Sequence, residues 1–380
     1  MSERKVLIVG MVDSIHLARW LGQFIESDIE FHIYPSKKYK IIHPKLRELI
    51  AKYPNFKFMG LSRTSFIEFY GYLDYILFET IPNNLRVRIL SRLIKQNNFD
   101  YIHALEIQGA GYLTDNALRN IANKPKFILT NWGSDIFYFQ SIPDHLKKIR
   151  TALKAADLYS AECIRDYKLA KLYGFKGTEL PCIPNAGGFE ESEFNLQKVK
   201  TSERNWIVVK TYGGRFGRGD LAIEAISHVL LKNLEVSVFF YSVTDDLVER
   251  VSKLKSNYPN RVDFSTLERP LSHERLRDIF LKSRVYIGCS ISDGISTSFL
   301  EAITYGAYPI QTDTSCANEW VDKGVNASLV PLDLNTIRAT LANVLTNDVL
   351  VDAAFVSNLK VAINQLGSKT ISTQAIGFYL

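Results

Sequence analysis

The sequence predicts an α/β protein made of two doubly wound domains. Three observations predict it. Short β-branched and aromatic runs alternate with helical patterns along the chain, 380 residues are enough for two domains of ordinary size, and a stretch poor in apolar residues separates two series of strands. The 46% hydrophobic and 23% charged content is that of a globular protein. No uninterrupted apolar run approaches the ~20 residues needed to cross a bilayer.

In the first series, Lys5 to Gly10 reads as a buried strand, its short apolar run being unlike a signal peptide. Ser14 to Phe24 reads as a helix with Ile15, Leu17, Ala18, Leu21 and Phe24 on one stripe. The turn between them lacks G-x-G-x-x-G, which argues against an NAD enzyme. It places Asp13, Ser14 and His16 at a helix N-terminus, where Ser14 is a ligand contact or a plain N-cap. Further strands read as Glu30 to Tyr34, Phe56 to Met59, Tyr101 to Leu105, Lys126 to Thr130 and Leu158 to Ala161. Glu106, Gln108 and Gly109-Ala-Gly111 follow one of them, the glycines permitting close approach of a ligand or helix. Thr130-Asn-Trp-Gly-Ser-Asp135-Ile follows another and offers Asp135 to a sugar or acceptor, or to a capping turn.

The break comes at Pro181 to Arg204, where Pro184-Asn-Ala-Gly-Gly188 and an acidic run read as a linker over 184–204. Residues 1–183 form the first domain on this reading and 205–366 the second. Trp206 to Lys210 is a strand, and Thr211-Tyr-Gly-Gly214-Arg215-Phe-Gly-Arg218-Gly219 is a Gly-rich turn before the helix Leu221 to Leu231. Arginines in such a turn suit a diphosphate, whose oxygens they bind bidentately. Strands at Glu235 to Tyr241 and Arg261 to Ser265 follow, and a helical tail runs from Leu334 to Gln365.

The most informative stretch is Ser290 to Thr312, entered from the strand Val285 to Cys289. From Ser296 onward Phe299, Leu300, Ala302 and Ile303 recur at helical spacing, and Gly306 stands where the helix needs a left-handed residue. Tyr308 to Thr312 is extended again. In an open α/β sheet ligands lie beyond the carboxyl ends of the strands. There the amides of Asp293-Gly294-Ile295-Ser296-Thr297 suit a phosphate or sugar oxygen, and Asp293 and Glu301 offer acceptors to hydroxyl groups. The plainer alternative is a capping box, Ser298-Phe-Leu-Glu301, beside an Asp-Gly turn.

Asp293-Gly-Ile-Ser-Thr-Ser-Phe-Leu-Glu301-Ala-Ile-Thr-Tyr-Gly-Ala-Tyr-Pro-Ile resembles the donor-binding motif of retaining glycosyltransferase family 4. Two acids flank seven residues there, and Asp293 stands where Glu is usual. Gly214-Arg215 and Arg218-Gly219 look like the Gly-Arg and Lys-Gly pair that clasps the donor diphosphate, with Arg in place of Lys. A shifted alignment on Gly217-Arg218 leaves Lys210 or Arg215 as the second cation. Trp132 replaces the family's usual His before Gly-Ser-Asp, so no His role carries over. The likeness is strong from Tyr212 to Val330 and weaker over 1–180.

This resemblance implies a GT-B fold, two Rossmann-like domains facing across a cleft, with 367–380 returning to the first. It implies a retaining transferase that moves a sugar from a nucleotide-sugar, UDP-linked, to a glycan or polyprenyl-diphosphate-linked acceptor of capsule or O-antigen synthesis. Glu301 then holds the ribose and Asp293 the donor sugar, Arg215 and Arg218 stabilise the leaving diphosphate, and Asp135 orients the acceptor. Gly214, Gly294, Ile295, Ser296, Thr297 and Ser14 complete the binding contacts. Without an Asp-x-Asp motif or metal-ligand spacing, neither a metal nor a cofactor is expected. An epimerase or phosphorylase of the same fold, or a binding protein without catalysis, are the rival readings.

Four well-separated cysteines suggest a reducing, cytoplasmic setting. The net charge of +6 is carried by residues 1–200, with 28 Lys and Arg against 21 Asp and Glu. Together with Lys37 to Arg47, this suggests peripheral contact with an anionic membrane at the inner face of the plasma membrane, and no nucleic-acid partner.

Overall fold

The computed structural model describes residues 4–59, 82–232 and 235–380. The chain divides into two compact units, 1–187 with 370–380, and 188–369. The first holds seven strands, β1 (Lys5–Gly10), β2 (Glu30–Pro35), β3 (Phe56–Phe58), β4 (Tyr101–Leu105), β5 (Lys126–Asn131), β6 (Leu158–Ala161) and β7 (Thr178–Glu179), in the order β3-β2-β1-β4-β5-β6-β7. All pairs are parallel. Val6 and Ile8 enter one core layer with Phe31 and Ile33, while Leu7 and Val9 enter the other with Ile102 and Leu129. Successive side chains alternate across the sheet, and both faces are covered, so the strands read as continuous apolar runs.

The second unit repeats this plan with β8 (Trp206–Lys210), β9 (Ser237–Val243), β10 (Val262–Thr266), β11 (Ser283–Gly288), β12 (Tyr308–Thr312) and β13 (Ser328–Val330), in the order β10-β9-β8-β11-β12-β13. These pairs too are parallel. Strand order reverses between β1 and β4 in one unit and between β8 and β11 in the other. Those reversals open a crevice at the carboxyl ends, where such sheets bind ligands.

Residues 189–204 are folded onto the second unit rather than forming a linker. Phe189 and Phe194 are buried beside Tyr305, and the Arg204 guanidinium donates to the carbonyls of Tyr305 at 2.9 Å and Val199 at 2.9 Å. Arg204 thereby satisfies a carbonyl at the end of the helix Thr297–Tyr305, which no helical N–H can reach. The change of unit falls at Gly187 and Gly188. The expected tail is two helices, Leu334–Thr346 and Asp348–Leu366, because the Asn347 side chain caps the second through Leu350 N at 3.0 Å. Asp348–Leu366 is long and apolar enough by composition to cross a membrane; here it packs Val351, Ala354, Ala362 and Leu366 into the second unit's cores.

Residues 370–380 complete the first unit's core. Tyr379 is fully buried against Phe24, Phe31 and Tyr101, accepts from Trp20 Nε1 at 3.2 Å, and shares a proton with His103 Nδ1 at 2.6 Å. The chain continues from His103 Nε2 to Thr130 Oγ1 at 2.5 Å and on to Ser160 Oγ at 2.6 Å. Burial lowers the His103 pKa to about 3, so the imidazole is neutral.

Candidate functional site

In the second unit, two loops meet at the β8/β11 reversal. The Gly-rich turn after β8 is stitched to the segment after β11 by Arg218 N to Cys289 O at 3.0 Å and Ile291 N to Phe216 O at 2.8 Å. The turn needs its glycines. A Cβ on Gly217 would lie 2.0 Å from Tyr212 O, and Gly214 has φ +68°. Gly213 N donates to Thr244 Oγ1 at 2.9 Å, and Gly214 N to Asp246 Oδ2 at 3.4 Å, so the loop after β9 braces it.

The second loop runs Asp293-Gly-Ile-Ser296 into the helix Thr297–Tyr305. Ser296 is the N-cap residue, yet no side chain caps the helix. The Ser296 hydroxyl is thus not spent on the first-turn amides, one of which, Phe299 N, bonds Ser296 O at 2.9 Å. The capping-box alternative fails, since Ser296 rather than Ser298 is the N-cap and Ser298 lies inside the helix; Glu301 is buried with Oε1 3.8 Å from His273 Nε2. Gly306 ends the helix at φ +85°, as its position in the sequence predicts. Asp293 Oδ1 accepts from Gly294 N at 2.9 Å, and Gly294 O accepts from Cys316 N at 2.8 Å.

Between the two loops stands Lys210, the last residue of β8. Its Nζ is 3.4 Å from Ser296 Oγ, 4.0 Å from Asp293 Oδ2 and 4.8 Å from the Tyr212 ring centre. Burial alone would lower its pKa, but Tyr212, Asp293, Tyr286 and Glu301 outweigh burial and raise it, so Lys210 stays a cation. Of the expected site residues, the structure thus sets Asp293, Ser296 and Glu301 around a charge that the sequence offered only as an alternative, with Gly214 and Arg218 on the adjoining turn and Gly294, Ile295 and Thr297 flanking Ser296 in the chain. Arg215 is exposed on the turn, and Arg218 Nη1 donates to Gly217 O at 2.6 Å. His273 was not legible as a partner of Glu301, because the contact joins two helices distant in sequence.

The first unit has its own crevice. Ser14 caps the helix Ile15–Gly22 by accepting from His16 N at 3.2 Å, and the His16 and Trp132 rings are 5.5 Å apart. Glu106, after β4, is a non-glycine residue at φ +89° and ψ +147°, a region nearly exclusive to glycine. Its carboxylate accepts from Gly109 N at 2.7 Å and Ala110 N at 2.5 Å, holding a π-helical turn, Ile107–Gly111. Asp135 Oδ2 accepts from Ile107 N at 3.0 Å and Trp132 N at 3.1 Å. Burial, with Glu106 close by, pushes the Asp135 carboxyl up to about 7. Asp135 thus has a clear positioning part in joining the β4 and β5 loops.

Residues 5–164 match the model of the glycosyl transferase 4-like family. That stretch, less than half of the chain, is similar to this glycosyltransferase family. That match falls in the half where the sequence resemblance was weaker. No curated protein matches the sequence. Solved structures similar to this chain include a sucrose-phosphate synthase from Thermosynechococcus elongatus, at TM-score 0.71 and 13% identity over 99% of this chain and 98% of that one. Anabaena HepE in complex with UDP and glucose is similar at 0.66 and 14%, over 99% of each chain. A UDP-forming α,α-trehalose-phosphate synthase from Burkholderia vietnamiensis is similar at 0.68 and 12%, over 99% and 98%. At these identities the likeness is one of fold, which is GT-B.

Proposed function

We propose that this protein is a retaining glycosyltransferase that moves a sugar from a UDP-sugar to a glycan or lipid-linked acceptor of surface polysaccharide. The observation that carries the donor assignment is the Lys210 cation set between a Gly-rich turn with two arginines and the N-terminus of a helix whose N-cap Ser296 hydroxyl makes no cap bond. Diphosphate charge is met there by Lys210, Arg215, Arg218 and the first-turn amides of the helix Thr297–Tyr305, as preorganised donors rather than by a required metal. Glu301 accepts from ribose hydroxyls and Asp293 from the sugar. The acceptor oxygen bonds to the anomeric carbon on the face from which the diphosphate departs, and the leaving phosphate oxygen takes the acceptor's proton. UDP is favoured because HepE and the Burkholderia synthase, both similar in fold, are UDP-binding and UDP-forming.

Peripheral membrane contact at the inner face of the plasma membrane is part of the proposal. Its support is Ile41, 61% exposed, next to exposed Lys40 and flanked by exposed Lys38 and Lys45 in the charge-rich first unit. Each basic residue near an anionic surface adds ~1 kcal/mol.

The test is a thermal-shift screen against UDP, GDP and ADP, followed by anomer-resolved NMR of the product with UDP-sugars, with and without chelator. Selective stabilisation by UDP, a retained anomer and chelator-insensitive turnover are expected. No shift with any nucleotide in folded protein would overturn the donor site, and an inverted product would overturn the mechanism.

A further inference from the structure

The first unit has a cavity of about 780 Å³ whose residues come from the ends of β2 and β4 and from three helices. Gln108 and Gly109, on the strained π-helical turn that Glu106 holds, line it. Backbone kept in a region that only glycine occupies freely persists where surrounding structure enforces it, and such sites cluster at ligand positions. π-Helical turns show the same bias.

The other walls are basic. Arg86, Arg119, Lys147 and Lys148 line the cavity together with Lys37, against the acids Asp115 and Asp144. Arg86 is fixed by a bond from Nη2 to Ser36 O at 2.5 Å, which leaves its fork little freedom to lose on binding. Asp115 is matched by Arg119 at 2.7 Å and Lys37 by Asp13 at 3.3 Å. Lys147 and Lys148 have no ion-pair partner among the described residues, and Lys148 Nζ is 5.7 Å from the Tyr112 ring centre. The cavity therefore has a net positive charge and apolar ring surface, at the carboxyl ends of strands.

We propose that this cavity binds a phosphoryl group carried by the acceptor. The inference rests on the reading of the first unit as the acceptor side and specifies what the acceptor carries: a phosphate or diphosphate, whether on a lipid or on a soluble sugar. Arg86 and the lysines supply charge, and the Tyr112 ring supplies apolar surface beside it.

The test is calorimetry at low salt with UDP held saturating, so that the donor turn is occupied. The probes are geranyl diphosphate and glucose 6-phosphate, titrated into wild type, Lys147→Ala/Lys148→Ala and Arg86→Gln. The lysines are exposed, so that variant keeps its fold. One of the probes binds wild type, and its affinity falls roughly tenfold or more in each variant, the loss expected for charge-assisted bonds. Which probe binds distinguishes a lipid-borne from a soluble phosphate. Neither probe binding while UDP binds normally, or equal binding by wild type and the lysine variant, would overturn the proposal and leave the donor site standing. Loss of UDP binding with the probe still bound would instead count against the donor reading alone.

Discussion

Lys210 Nζ lies 4.0 Å from Asp293 Oδ2 and 3.4 Å from Ser296 Oγ, so the end of β8 and the turn after β11 meet across one positive charge. The pairing keeps Lys210 protonated and places it where a diphosphate would displace the Asp293 contact. Lys210→Met should weaken UDP binding roughly 10- to 100-fold, equivalent to ~1.5–3 kcal/mol for a charged hydrogen bond. Titration calorimetry checks this, and a parallel melting curve should show the fold preserved. Unchanged affinity would remove Lys210 from the donor site.

Gly217→Ala should lose nucleotide stabilisation altogether. The new Cβ meets Tyr212 O at 2.0 Å, and because that neighbour is backbone, the turn itself must shift. A stability loss of about 1–3 kcal/mol accompanies such overpacking. Denaturant melts with and without UDP separate the two effects.

Both sheets were largely legible in the sequence, as were the two loops that meet at the β8/β11 reversal. Strands buried on both faces leave unbroken apolar runs, and Gly306 marks a helix end whatever surrounds it. The two-residue β7 and three-residue β13 escaped because so few residues carry no period. Residues 189–204 escaped for another reason: Phe189, Phe194 and Arg204 are too sparse to look like a core, yet each fills a place made by Tyr305 and its helix. Lys210 stood in the open as a strand's last residue. Only three dimensions show that Asp293 and Ser296, more than eighty positions on, lie against it.

His103 predicts a pH dependence. Its folded pKa, about 3, lies below the ordinary 6.5, so below pH 6.5 the unfolded chain takes up a proton that the folded chain does not. Folding stability from this group is therefore lost as pH falls from about 6.5 towards 3, by ~1.4 kcal/mol per unit. Urea melts of His103→Gln against wild type should show their difference moving in the variant's favour over that window. A constant difference would refute it.

Asp135 has the opposite sign. With a folded pKa of about 7 against 3.8, it is protonated in the folded state while the unfolded state ionises, so its contribution declines as pH rises from about 4 to 7. Asp135→Asn should be relatively more stable at pH 7 than at pH 5, by ~1.4 kcal/mol per unit at most. Equilibrium unfolding at the two pH values measures it.

Tyr379→Phe should cost about 1–3 kcal/mol, because Trp20 Nε1 and His103 Nδ1 each lose their buried partner. Thermal unfolding of the intact chain provides the readout, and a change under 0.5 kcal/mol would show that the hydroxyl is dispensable.

Tyr379 also bears on how the polypeptide is made. Residues 188–369 are contiguous and leave the ribosome before 370–380, whereas Trp20 and His103 must wait for Tyr379. The usual vectorial order, first domain first, is therefore interrupted. The earlier-synthesised unit should remain open to chaperones and proteases until the later one has emerged, and the closing act of its folding is the docking of the chain's own last segment.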